Sequence, residues 1–167
     1  RAVKKAIADG RLGKLFRVES TETSAVPYWM HYQGPKTEAD TDWKAFLYNR
    51  KDRPFDPLLH ARWMGYHDIT AGTIGGWMTH FINFVHFVTG CDFPVYAIAQ
   101  GGFYAPTSDR RRTAPDNVTV VLEYAEGFVT QFTSHFGSAV GNETTAFFFE
   151  KGNIRTLFGH NPGTPMI

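Results

Sequence analysis

Apolar residues recur along the chain with two different periods, and the change between them divides it in two. Ala2, Val3, Ala6 and Ile7 fall at helical spacing before Gly10, which predicts a helix over residues 1–9. A strand is expected next, over residues 15–25, where Phe16 and Val18 alternate with Arg17, Glu19 and Thr21. Over residues 26–40 the pattern dissolves into Pro27, Gly34 and Pro35 with Tyr28, Trp29 and Tyr32 between them, an aromatic loop that packs over a core edge or lines a pocket. Asp40, Thr41 or Asp42 can cap a short helix carrying Trp43, Phe46 and Leu47, and Asp56-Pro57 opens another through Leu58, Leu59 and Trp63. After a glycine-punctuated bend over 65–76, Ile74, Met78, Phe81, Ile82, Val85 and Val88 mark the buried stripe of a helix that ends at Gly90.

Beyond Pro94 the period falls to two. Strands are predicted over residues 95–104, 117–124, 128–136 and 143–151, with Glu126-Gly127 as a tight turn between the middle pair. Helices thus precede a strand meander, and strands joined by short turns pair antiparallel. The expected class is α+β: an open, mainly antiparallel sheet with helices packed on one face. In the third of these strands Phe128, Thr130, Phe132, Ser134 and Phe136 share one face, while Val129, Gln131, Thr133 and His135 share the other. Neither face is strongly charged, so the outer one is expected to be a subunit or domain interface.

Composition narrows the function classes. The chain has 167 residues, 16% of them aromatic, too rich for a disordered segment. A chain near this length buries about 70% of its unfolded surface, enough for a core of its own. With 17 Lys+Arg against 16 Asp+Glu the net charge is +1, which supplies no global field for a nucleic acid. Cys91 stands alone, so no intrachain disulfide can form. The longest apolar run, 77–88, is interrupted by His80, Asn83 and His86 and is too short to span a bilayer. No membrane association is expected. The chain starts at Arg1 directly in a helical pattern, and its last residues, 159–167, read as an unfinished connection. A fragment is therefore expected, with a cytoplasmic location favoured and export left open.

Candidate chemistry centres on histidine, the side chain suited to proton transfer near neutral pH. His60, His67, His80 and His86 lie at spacings that put no two on one helix face, so no metal site is expected. Gly76, His80, Asn83 and Phe87 form one stripe beside the buried one, and Gly75-Gly76 permits a close approach. That stripe presents either an imidazole in a cleft or a capped core histidine beside a surface Asn. Arg62, Trp63, Tyr66, His67 and Asp68 mix donors, aromatics and a carboxylate as small-molecule sites do. The run Arg110-Arg111-Arg112 is expected to be a solvated loop rather than a phosphate site. There is no Gly-x-Gly-x-x-Gly loop, Gly-Lys-Ser/Thr loop or Gly-x-Ser-x-Gly elbow, and Cys91 reads as a structural thiol.

Several segments in order carry a family resemblance: residues 5–14, Lys-Ala-Ile-Ala-Asp-Gly-Arg-Leu-Gly-Lys, before a strand; Thr79-His80-Phe81-Ile82-Asn83 on a helix ending in Thr89-Gly90; Pro94-Val95; and Asp116-Asn117-Val118-Thr119-Val120 followed by Glu126-Gly127. Together they resemble the C-terminal, non-Rossmann half of the glucose–fructose oxidoreductase / inositol dehydrogenase (Gfo/Idh/MocA) family. The resemblance implies a dihydrodipicolinate reductase-like C-terminal sheet domain over residues 1–167, without the N-terminal Rossmann domain that binds NAD or NADP. It also implies a helix motif Asp-x-x-x-His-x-x-Asp whose histidine is acid or base on a substrate hydroxyl. His80 matches that histidine, Asn83 stands at the second Asp and Gly76 at the first.

The expected function is the substrate-binding and oligomerisation domain of an NAD(P)-dependent oxidoreductase for a sugar, polyol or related hydroxy compound. His80 is the expected catalytic residue, and Asn83, Arg62, Tyr66, His67 and Asp68 the substrate-binding candidates. No cofactor-binding residues are expected in this chain, and a homo-oligomer through the open sheet face is. An NAD-dependent glycosidase-like relative and a non-catalytic sheet scaffold are the alternatives.

Overall fold

A computed structural model of the chain describes residues 2–24, 36–105, 111–137 and 142–157. The aromatic loop at Tyr28, Trp29 and Tyr32, Arg110 and the tail from residue 159 lie outside the described residues. The elements run α1 (Ala2–Asp9), β1 (Leu15–Ser24), α2 (Trp43–Leu47), α3 (Pro57–Ala61), α4 (Thr79–Thr89), β2 (Tyr96–Gly102), β3 (Asn117–Tyr124), β4 (Phe128–Phe136), β5 (Asn142–Phe149) and β6 (Gly152–Leu157). Local chemistry starts the short helices as expected. Asp42 caps α2 by accepting from Ala45 N at 2.9 Å, and Asp56 caps α3 by accepting from Leu58 N and Leu59 N, both at 3.0 Å. Pro57 occupies the first turn of α3, where its missing N–H costs nothing.

The six strands form one sheet in the order β2-β3-β4-β1-β5-β6. Every pairing is antiparallel except β1 with β4. The expected open, mainly antiparallel sheet is therefore present, with one correction to the meander. Strand β1 inserts between β4 and β5, with Val18 opposite Thr130 on one side and Phe147 on the other. A parallel pair needs a long crossover, and everything between residues 24 and 128 supplies it. The final hairpin partner β6 was not anticipated. The strand predicted over 143–151 ends at Phe149, and the chain turns at Glu150 and Lys151 into β6.

Strand alternation sorts the side chains cleanly. On β4 the five residues Phe128 to Phe136 at even positions are buried and the four between them are half-buried, as predicted. The buried face of the sheet supplies Val18, Val120, Leu122, Phe132, Phe147 and others to a core closed by α1 through Val3, by α4 through Phe81, Val85 and Val88, and by Met78 just ahead of α4. Phe81 packs on Phe132 with ring centroids 6.0 Å apart, and Phe84 meets Phe147 edge-on at 5.5 Å. Val129, Gln131, Thr133 and His135 of β4, on the opposite face, are half-buried.

Phe132 is 3% exposed at the centre of this core, whereas Phe93 is 84% exposed. Phe132→Ala should lower unfolding stability by about 3–5 kcal/mol and Phe93→Ala by no more than about 0.5 kcal/mol. Urea denaturation checks both, and similar losses for the two would refute the assignment of the core.

Candidate functional site

The helix that carries His80 begins with an irregular turn. Residues Ile74–Met78 form a π-helical turn that runs without interruption into α4. Such turns widen the helix and are frequent at functional sites. A side chain at Gly75 would bring its Cβ within 2.5 Å of the Ala71 Cβ, so only glycine allows this turn to close. The Thr79 hydroxyl donates to the Gly75 carbonyl at 3.0 Å, satisfying an oxygen that the wide turn leaves available.

The turn also breaks the predicted stripe. Met78, Phe81, Val85 and Val88 are buried as expected, and Ile82 is half-buried, but Ile74 is 38% exposed. An added residue in one turn rotates everything N-terminal to it around the helix axis, so a constant 3.6 period cannot be carried back to Ile74. His80, Asn83 and Phe87 are exposed, and Gly76 is half-buried beside them. The Trp77 ring stands edge-on to the His80 imidazole, with centroids 6.1 Å apart. His80 and Asn83 therefore share one accessible face, with an indole supporting the imidazole from below.

Arg62, Tyr66, His67 and Asp68 lie in the segment between α3 and that helix. Tyr66 is 7% exposed, and its carbonyl accepts from Ile69 N and Thr70 N, each at 3.0 Å. Asp68 is exposed and its carboxylate accepts from the Arg53 guanidinium, while Arg50 donates to the carbonyls of Asp68 at 2.6 Å and Ile69 at 2.7 Å. Arg62 is half-buried. His67 is exposed, and its backbone N donates to the Thr113 hydroxyl at 2.8 Å. It lines a cavity of about 170 Å³ with Gly72, Thr73, Gln100, Pro115 and Val118. The chain thus offers two groups: His80 and Asn83 on the helix, and four residues on the loop that delivers it.

The residues fixing this loop escaped the sequence reading. Asp116 is fully buried, and its Oδ1 accepts from Tyr104 N at 2.8 Å, Ala105 N at 3.0 Å and Asn117 Nδ2 at 2.7 Å. Its Oδ2 accepts from the Arg112 guanidinium, itself buried. Burial alone would push the Asp116 carboxyl up, but these donors and the Arg112 charge hold it below its ordinary value. Asp56 behaves likewise: burial raises it, and Arg111, paired at 2.9 Å, with the two capping amides lowers it on balance. Arg112 is thus a buried structural tie and not part of the solvated loop expected of the basic run, whereas Arg111, though paired with Asp56, stays exposed as expected. Thr113 N and Ala114 N donate to Gly65 O at 3.0 and 2.9 Å, which joins the two loops directly. Asp56-Pro57 and Asp116-Asn117 were both visible as local signals, but their arginine partners lie far away or across a loop that periodicity does not place.

Among the described residues no three His, Cys, Asp or Glu side chains converge to hold a metal, and no helix is long and apolar enough to cross a membrane. Cys91 is buried, and burial, with Glu126 and Asp92 adding to it against a Thr89 hydrogen bond, raises its thiol. Such a thiol is a poor nucleophile, in agreement with its structural reading.

A family model described as the GFO/IDH/MocA C-terminal domain matches residues 1–155. The chain belongs to the Gfo/Idh/MocA family. Its fold is shared with solved Gfo/Idh/MocA-type dehydrogenases of low sequence identity. Myo-inositol 2-dehydrogenase from Lactobacillus plantarum is 14% identical with a TM-score of 0.63, covering 100% of this chain and 40% of that one. Myo-inositol dehydrogenase from Corynebacterium glutamicum is also 14% identical, with a TM-score of 0.60 and coverage of 97% and 38%. The WlbA dehydrogenase from Bordetella pertussis, solved in complex with NADH and UDP-GlcNAcA, is 18% identical with a TM-score of 0.57 and coverage of 92% and 37%. No curated protein sequence matches the chain. The chain spans about two fifths of the length of these solved structures.

In this Gfo/Idh/MocA domain the Asp116 carboxylate has its folded-state pKa depressed, so its stabilising contribution is complete above the ordinary value of 3.8 and drains away as pH falls through and below it. Asp116→Asn should remove about 3–5 kcal/mol at pH 7, because it breaks a buried charge pair and replaces an acceptor that takes four hydrogen bonds. It should also flatten the acid side of the stability profile. Denaturation midpoints from pH 3 to pH 7 check this, and an acid limb as steep as the parent's would assign that limb to other carboxylates.

Proposed function

We propose that the chain is the substrate-binding and oligomerisation domain of an NAD(P)-dependent oxidoreductase acting on a sugar, polyol or related hydroxy compound. The observation that carries this reading is the exposed His80 imidazole, propped by Trp77 beside Asn83, within a domain whose family match runs over residues 1–155. Myo-inositol dehydrogenases of the same fold, and a relative solved with NADH and a nucleotide sugar, support the substrate and cofactor class.

The described residues hold no Gly-x-Gly-x-x-Gly loop after a strand, so they do not fit a dinucleotide cradle. They fit such a cofactor only at its reacting end, and the cradle is assigned to a separate Rossmann domain. NAD or NADP would supply the acceptor for hydride. This chain's part is the proton. His80, with a free approach from solvent, accepts the hydroxyl proton as the substrate carbon gives up hydride. Asn83, one helical turn on, presents an amide that donates to or accepts from a neighbouring hydroxyl without adding charge. Arg62, Tyr66, His67 and Asp68 are assigned to the approach; Tyr66 and Asp68 also serve the loop, through the bonds described above.

The open sheet face is assigned to oligomerisation. Ile98, Val121, Val129 and Phe148 lie on it in adjacent register rows, and its central charges are internally paired, with Arg17 bound to Glu19 and Gln131. A second copy would meet an apolar, electrically balanced surface, as homodimer interfaces require.

In the protein that includes the Rossmann domain, His80→Ala should lower turnover by about 10²–10⁴-fold. Steady-state rates on a polyol, a free sugar and an aryl glycoside measure this and separate dehydrogenase from redox glycosidase; an unaltered rate removes His80 from the reaction. Val129→Arg should convert the oligomer to monomer with unchanged circular dichroism. Light scattering decides, and a parent chain already monomeric at high concentration refutes the interface.

A further inference from the structure

Tyr48 is the one non-glycine residue with a positive φ among the described residues. It follows α2 with φ 53° and ψ −111°, at the first central position of a turn that Arg50 N closes on Leu47 O at 3.0 Å. Those angles are those of a type II′ turn, where glycine is the usual residue because a Cβ crowds the backbone. Asn and Asp enter the left-handed helical region at small cost, but this ψ lies outside it, and a bulky side chain there is strained. The two ends of the turn explain why the strain persists. Leu47 is 2% exposed, and the Arg50 guanidinium donates to the carbonyls of Asp68 at 2.6 Å and Ile69 at 2.7 Å. Anchors on either side over-determine the backbone between them.

No burial offsets that strain, since Tyr48 is 82% exposed. A single exposed apolar residue needs no explanation, but one that strains its backbone does, because glycine would hold the same turn without the clash. The position of the turn narrows what the ring meets. Arg50 and Arg53 brace it against Asp68 and Ile69, beside the exposed His67, so the turn and the approach segment form one braced unit. Two residues of chain span at most about 7 Å, which keeps Tyr48 close to the Arg50 anchor.

We propose that Tyr48 is a specificity-determining residue at the outer end of the approach to His80, where its ring stacks on a second ring, aryl or pyranose, carried by the substrate. This rests on the assignment of Tyr66, His67 and Asp68 to that approach, and it narrows the substrate from a lone polyol to a glycoside. A tyrosine ring offers a large flat area with only two side-chain angles to fix, and the face of an aryl or sugar ring meets it without any charge to desolvate. The strained turn holds the ring out from the body before the substrate arrives, so little freedom is lost on binding.

Isothermal titration calorimetry with methyl β-D-glucoside, phenyl β-D-glucoside and cellobiose tests this on the NADH-loaded protein that includes the Rossmann domain. At least one of the two compounds with a second ring should bind about three- to tenfold more tightly than the methyl glucoside, and which one does so separates an aryl from a pyranose partner. Tyr48→Gly should remove that preference and raise the thermal midpoint by about 2–4 °C, whereas Tyr48→Phe should keep the preference. Three compounds that bind the parent alike, or a preference that survives Tyr48→Gly, would overturn the stacking site and leave the substrate reading intact. Binding of none of the three would overturn the substrate class and this proposal with it. A midpoint that does not rise would show an unstrained turn, and a Tyr48→Gly protein of lower mass in light scattering would assign the ring to a subunit contact; either result overturns the proposal.

Discussion

The placement of His80 depends on the burial of α4 against one face of the sheet. Phe81, Val85 and Val88 are 3%, 0% and 3% exposed, and each contributes about 1.5–3 kcal/mol relative to leaving it in water. Their stripe meets Val18, Phe132 and Phe147, which belong to three adjacent strands in the middle of the sheet. Once that stripe is pinned, the opposite side of the helix must face outward, and His80 and Asn83 ride on it. The π-helical turn before Thr79 adds a local adjustment, letting Trp77 stand against the imidazole while Met78 still enters the core.

A second, electrostatic constraint governs the end of the sheet near residue 104. Asp116 and Arg112 form a buried pair whose cost in desolvation is offset by three further hydrogen bonds to the carboxylate. The carboxylate ties the two ends of the β2–β3 connection together through Tyr104 N, Ala105 N and Arg112. Through Gly65, Thr113 and Ala114 the same lock reaches the segment carrying Tyr66 and His67. One carboxylate thereby positions the approach to the helix on one side of the sheet and Tyr104 with Asn117 on the other.

Much of this was legible in the sequence, for reasons that can be traced. The period-two alternation of β4 states which side chains are buried, because a strand has only two faces. The caps at Asp42 and Asp56 are local, so short-range chemistry finds them. The insertion of β1 was not legible, since no local pattern distinguishes a strand that neighbours its successor from one that pairs across a hundred residues. Nor was the role of Arg112, whose charge reads as solvated until its partner is known to be buried.

The sequence by itself determined the class of fold, the helix that bears the histidine and the apolar stripe that this helix buries, because all three follow from periodicity and from nearest-neighbour sterics; that the histidine is exposed was decided by the tertiary structure. The sequence also set the absence of strong net charge and with it the neutral character of the surfaces. Only the tertiary structure decided that β1 lies at the centre of the sheet, that Ile74 turns outward and that Arg112 of the basic run is buried against Asp116. Those depend on which distant groups meet. Desolvation makes such meetings decisive, since a buried charge or an unpaired strand edge is tolerated only where the rest of the chain supplies its partner.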